Sequence, residues 1–233
     1  VRPRLVADPE YMLMIVGLAG TTIAPWMQFY LQAAVVEKGV SIRDIRLSAW
    51  DTILGGVIVT VVALFIIVTC SETLFRSGVR IETAADAARA LIPVAGANAA
   101  YLFGFGLLTA SLFAASILPL STSYTVCEAF GWESGVDRSY HQAPQFYLLY
   151  SAVIFGGAAT VLFPDLPLVE VMYYSQVVNG ILLPVILVFI LRLAADPEVL
   201  GERVNGPVYN VVCWTFAVVI AALSAVSLGM VAL

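Results

Sequence analysis

The chain has 233 residues, 61% of them hydrophobic and 12% charged, with a formal net charge of -5. A soluble domain carries roughly a quarter charged residues, so these proportions exclude an ordinary soluble protein, a disordered chain and a disulfide-stapled secreted fold. The 11 Lys and Arg are scattered rather than massed, which leaves a nucleic-acid partner without electrostatic support.

Residues 1–10 form a polar, proline-containing stretch that lacks the basic and apolar regions of a signal peptide. They read as an inter-helix loop, and with no initiator methionine the chain reads as a fragment whose N-terminal helices are missing. Six apolar segments follow, over 11–36, 50–74, 97–126, 144–163, 168–191 and 209–233. A bilayer core of about 30 Å takes roughly 20 helical residues to cross, so the expectation is an all-α membrane protein of six transmembrane helices forming a single transmembrane domain over 1–233.

The first segment, treated as an unwound helix over 11–38, carries Gly20, Thr21, Thr22, Ile23, Ala24 and Pro25 at its middle. Pro25 has no amide hydrogen, so the carbonyl of Thr21 loses its helical donor. At bilayer depth that oxygen must find a neighbour, a water or an ion, and the negative pole of a half-helix favours a cation. Two readings stay open on these residues: a proline kink satisfied by threonine hydroxyls, or an ion or substrate site.

Thr83 followed by Asp86 forms a capping box opening a short amphipathic helix that ends before Pro93 and lies on the membrane surface. The third segment, with Gly104, Gly106, Ser111, Ser116 and Pro119, reads as a tightly packed, tilted element. The proline-bearing fifth helix, over 168–191, repeats the theme of the first with Ser175, Gln176, Asn179, Gly180 and Pro184. Pro184 releases the Gly180 carbonyl, and Gln176 and Asn179 share a face. Amides on one face inside a membrane either bond across helices as packing glue or line a wet cavity.

Glu37, Asp51 and Glu170 lie at segment ends and read as interfacial. Arg2, Arg4, Arg76, Arg80 and Arg89 on one side, against Lys38, Arg43, Arg46, Arg138, Arg192 and Arg203 on the other, give a weak orientation. Cys70, Cys127 and Cys213 are spaced for neither a disulfide framework nor a metal cluster. His141, the sole histidine, falls in a loop, so a proton path through these helices has no imidazole. A membrane-embedded enzyme finds no histidine pair or nucleophile elbow here, and no cofactor is expected.

GTTIAPWMQFYLQ over 20–32 and YSQVVNGILLP over 174–184 resemble the unwound sixth and the tenth helices of the Nramp family of divalent-metal transporters. The spacing of all six segments fits the family's helices six to eleven. The resemblance implies the second inverted repeat of a LeuT-like fold plus an eleventh helix, with one or two interrupted helices. The family's first helix, with Asp-Pro-Gly-Asn type ligands, would belong to the absent part.

Carried over by residue, the family's coordinating carbonyl falls at Thr21, its methionine thioether at Ala24 and its tenth-helix glutamine at Gln176. The first family histidine is replaced by Trp26, and the second falls at Leu31 or Gln32. The implied metal site is Thr21, Thr22, Ala24 and Gln176, with Trp26, Gln28 and Asn179 as candidates for lining its cavity. Alanine supplies no soft donor, and a hard cation such as Mg2+ prefers oxygen and keeps its water, so the pattern resembles the Nramp-related magnesium transporters. Mn2+ remains open.

The expected function is therefore movement of Mg2+ and/or Mn2+ across a prokaryotic plasma membrane by alternating access, the partners being the cation, membrane lipids and the missing helices. Two alternatives stay open: a proton-coupled manganese or iron importer of the same family, and a non-transporting membrane scaffold.

Overall fold

A computed structural model describes residues 8–75, 78, 83–96, 98–163 and 166–232, and every regular element among them is helical. The N-terminal stretch over 1–7 with Arg2 and Arg4, the positions of Arg76 and Arg80, and Pro164 and Asp165 lie outside the described residues. Helix α1 spans Pro9–Thr22, α2 Pro25–Glu37, α3 Ile45–Cys70, α4 Ala84–Ala90 and α5 Ile92–Ala95. They are followed by α6 over Asn98–Phe130, α7 over Pro144–Val161, α8 over Leu168–Ala194, α9 over Pro197–Leu200 and α10 over Pro207–Ala232.

Local chemistry sets several of these ends. Asp8 caps α1 by accepting from the Tyr11 amide at 3.1 Å, directly before Pro9, whose missing N–H costs nothing in a first turn. Thr83 caps α4 reciprocally: its hydroxyl oxygen accepts from the Asp86 amide at 3.2 Å, and the Asp86 carboxylate accepts from the Thr83 amide at 2.9 Å. That helix stops at Ala90, and Pro93 opens the separate turn α5.

Five stretches among the described residues are long and apolar enough to cross a membrane: Pro9–Glu37, Ile42–Thr73, Asn98–Phe130, Leu168–Ala194 and Pro207–Met230. Six were expected. The remaining expected segment, α7, has 18 residues rising about 27 Å, and its polar opening at Pro144 and Gln145, not its length, keeps it out of these five. The third expected segment is also corrected in part. At Gly104 and Gly106 an added Cβ would meet nothing within 4 Å, and beyond Ala99 in its first turn α6 becomes buried only from Pro119 onward, at Pro119, Ser121, Ser123, Tyr124 and Cys127. Small residues there do not mark close contact with any described helix.

The helices group into two compact units, one made of Val1–Phe29 and Val161–Leu233, the other of Tyr30–Thr160. In the second unit, Ala33 of α2, Tyr124 and Cys127 of α6, and Ala143 and Phe146 at the start of α7 form a buried cluster. Tyr124 meets the Phe146 ring edge-on at 4.8 Å. Its hydroxyl donates to the Glu37 carboxylate at 2.7 Å and accepts from the Val136 amide at 2.9 Å. Tyr147 donates to the Arg138 carbonyl at 2.6 Å. The loop between α6 and α7 is therefore tied by side chains to both helices it joins, and Tyr124 links it on to Glu37 of α2. Glu37, expected as an interfacial carboxylate, spends its charge on this tyrosine.

In the first unit α1, α8 and α10 pack on one another. α1 offers Val16, Gly17 and Gly20, and α8 offers Val177, Gly180, Leu183, Pro184 and Leu191. The crossing is close because two glycines face each other. A Cβ on Gly20 would overlap the Gln176 carbonyl and the Gly180 amide nitrogen, and one on Gly180 would overlap the Val16 carbonyl. Missing side chains of this kind let membrane helices approach backbone to backbone. α10 completes the unit with Ala217, Ile220, Ser224 and Ser227, a buried stripe at helical spacing.

Candidate functional site

The chain leaves the helix at Ile23 and Ala24 and re-enters it at Pro25. Ile23 takes φ -123° and ψ 69°, outside the helical region, and its amide still donates to the Ala19 carbonyl at 3.0 Å. The next available donor is gone: Pro25 carries no N–H for the Thr21 carbonyl. Thr21 and Thr22 are exposed, whereas Ala24 and Pro25 are buried. The Thr22 hydroxyl donates back to the Leu18 carbonyl at 2.7 Å, so its proton is committed inside α1 while its oxygen lone pairs remain free to accept.

Gly20 brings this break to α8. Its closest neighbours are the backbone of Gln176 and of Gly180, so the residue preceding Thr21 lies directly on the segment that carries both amides. Gln176 and Asn179 are half-buried, and the Asn179 Nδ2 donates to Gln176 Oε1 at 3.2 Å. The structure thus joins Thr21 and Thr22 to the neighbourhood of Gln176 and Asn179 across more than 150 residues of sequence. Trp26 and Gln28 follow the break in the first turn of α2 and are both half-buried. Among the described residues no hydrogen bond ties Gln28 to either amide.

Of the one or two interrupted helices expected, the break at Ile23 and Ala24 is one, and α8 is not a second. The helix runs through Pro184 without a break, and the Gly180 carbonyl that Pro184 releases accepts from the Ser224 hydroxyl of α10 at 3.3 Å. Ser224 is 5% exposed. The sequence reading missed it, although Ser224 and Ser227 stand three apart in an otherwise apolar final helix and could have been marked as a polar contact facing a neighbour.

Among the described residues no group of three His, Cys, Asp or Glu side chains could hold a metal ion. At the break itself, Thr21, Thr22 and the amides of α8 carry carbonyl, hydroxyl and amide oxygens, a donor set suited to hard divalent cations. Glu170 is exposed in the first turn of α8, and Asp51 is exposed early in α3. The three cysteines are free thiols.

Five long apolar spans, one of them broken before a proline in its middle, define an integral membrane protein that crosses the bilayer several times. The chain belongs to the Nramp family: the family model described as natural resistance-associated macrophage protein-like matches residues 1–229. The curated relatives it matches carry the name of divalent metal cation transporters.

The divalent metal cation transporter MntH 1 of Pseudomonas aeruginosa is 28% identical over 93% of this chain and 50% of its own length. The divalent metal cation transporter MntH of Burkholderia ambifaria is 25% identical, over 94% of this chain and 49% of its own. That of Listeria innocua is 21% identical, over 94% and 50% respectively. The chain spans about half the length of these relatives. None of them is named a magnesium transporter, and the expected closeness to that branch finds no support in them.

Proposed function

We propose that this chain supplies one half of a divalent metal cation transporter of a prokaryotic plasma membrane, corresponding to the second repeat of a LeuT-like fold with an eleventh helix. The observation that carries this reading is the break at Ile23 and Ala24. It strips the Thr21 carbonyl of its helical donor one residue after Gly20 packs on the backbone of Gln176. The site is the Thr21 carbonyl, the Thr22 oxygen and Gln176, with Ala24 leaving space for water and with Trp26, Gln28 and Asn179 around it.

Two substrate readings divide on particular observations. The relatives are divalent metal cation transporters of the MntH type, which favours a transition-metal importer, proton-coupled in the family alternative. Ala24 in place of a thioether and Trp26 in place of an imidazole favour a cation that takes oxygen donors and keeps part of its water, Mg2+ or Mn2+. Mn2+ satisfies both. The test is flux of Mn2+, Mg2+ and Cd2+ into liposomes holding the full-length transporter, with internal pH followed at the same time. Uptake that acidifies the lumen establishes proton coupling; absence of uptake of all three ions overturns the transport reading. Ala24→Met is expected to move the ranking toward Cd2+ and Mn2+, and an unchanged ranking removes Ala24 from contact with the cation.

A further inference from the structure

The two amides of α8 are bonded to each other, and the direction of that bond matters. Asn179 Nδ2 is the donor and Gln176 Oε1 the acceptor, at 3.2 Å. A free glutamine amide turns over about its last torsion and offers nitrogen as readily as oxygen. With the Asn179 N–H as donor, the oxygen end of the Gln176 amide stands on the Asn179 side. The bond uses one Asn179 N–H and one of the two lone pairs on Gln176 Oε1. A second Gln176 lone pair and the Asn179 Oδ1 remain, and among the described residues neither side chain has a further hydrogen bond.

The backbone beneath is already held. Gln176 and Gly180 touch Gly20 of α1, and the Gly180 carbonyl is taken by Ser224 of α10. The segment over 176–180 therefore has little freedom of its own, and what stays mobile is the Gln176 side chain. A half-buried amide in a membrane helix is costly without partners, so two left partly unpaired side by side point to something that arrives to pair them.

We infer that Asn179 is a positioning residue for Gln176: it holds the carbonyl oxygen of that amide toward the incoming cation. This rests on the transport reading above. A fixed oxygen binds a divalent cation better than a rotating amide that presents nitrogen half the time.

The experiment is initial-rate flux of Mn2+ and Mg2+ in liposomes by the full-length transporter carrying Asn179→Leu, Asn179→Gln, Gln176→Leu or both leucines. Asn179→Leu keeps the size and removes both the donor and Oδ1. It is expected to raise KM by about ten- to a hundredfold, the usual loss when a group that orients a metal ligand is removed, with kcat changed far less. Asn179→Gln, which keeps an amide, is expected to recover most of the affinity. The double variant is expected to have the KM of Gln176→Leu alone, since Asn179 acts through Gln176. Unchanged KM in Asn179→Leu, a fall in kcat and folded yield alone, or KM effects that multiply in the double variant overturn this inference while the transport reading stands. An unaltered protein that moves neither ion overturns both.

Discussion

Around Pro25 the helix stops at Thr22 and starts again, whereas around Pro184 α8 runs unbroken from Leu168 to Ala194. Both prolines delete the amide that would have served the carbonyl four residues earlier, Thr21 in one case and Gly180 in the other. The difference lies in the surroundings. Gly180, Leu183 and Pro184 are buried within the three-helix unit, and Ser224 on α10 reaches the orphaned oxygen. Thr21 and Thr22 are exposed, and the Thr22 hydroxyl turns back to Leu18. A proline therefore removes a hydrogen bond; its neighbours decide whether the helix survives the loss.

The largest effect expected from breaking this arrangement is at the crossing that sets both sites. Gly20→Val puts a branched side chain into the Gln176 carbonyl and the Gly180 amide, which are backbone and cannot swing aside. The expected cost exceeds about 3 kcal/mol, the upper end of ordinary overpacking, and is read as loss of monodisperse protein and a lower Tm in detergent. A stability equal to that of the unaltered protein would mean that α1 and α8 do not meet at these glycines.

Next in size is the contrast between the prolines themselves. Pro25→Ala returns a donor to the Thr21 carbonyl and is expected to cut metal flux by about tenfold, equivalent to about 1.4 kcal/mol, with folding retained. Pro184→Ala is expected to leave flux within about twofold, because its carbonyl is already served. Equal losses in the two variants would remove the distinction drawn between the two prolines.

The smallest effect sharpens the explanation for Pro184. Ser224→Ala withdraws the interhelical hydrogen bond and is expected to cost about 0.6 kcal/mol, the average for such bonds in membrane bundles. Combined with Pro184→Ala, which restores a helical N–H to Gly180, the loss should shrink toward zero. Additive losses in a double-mutant cycle would show that Ser224 does not serve that oxygen.

Much of the fold was legible because it follows from local rules. Apolar length marked five spans, Thr83 with Asp86 marked a capped helix, and Pro25 after five residues of small or β-branched character marked where a donor is missing. The reading went astray where an outcome depended on a partner far along the chain. Pro184 has the same local chemistry as Pro25, and Ser224 lies 44 residues from the carbonyl it serves. Glu37 reads as a residue at a segment end without a partner, and Tyr124, 87 residues away, donates to its carboxylate. The candidate site divides in the same way. Thr21 could be named from proline chemistry alone, whereas the Asn179 bond to Gln176 depends on side-chain torsions that spacing does not specify.

The sequence by itself determined that this is a helical membrane protein with a main-chain oxygen released before Pro25, since hydrophobic length and an absent amide hydrogen are properties of the chain at each position. Only the tertiary structure decided that Gly20 and Gly180 face each other, that Ser224 quiets one proline-freed carbonyl and not the other, and that Tyr124 takes up Glu37. Each of those outcomes pairs groups from distant helices, and a buried polar atom is satisfied or left waiting according to what the fold brings within about 3 Å of it.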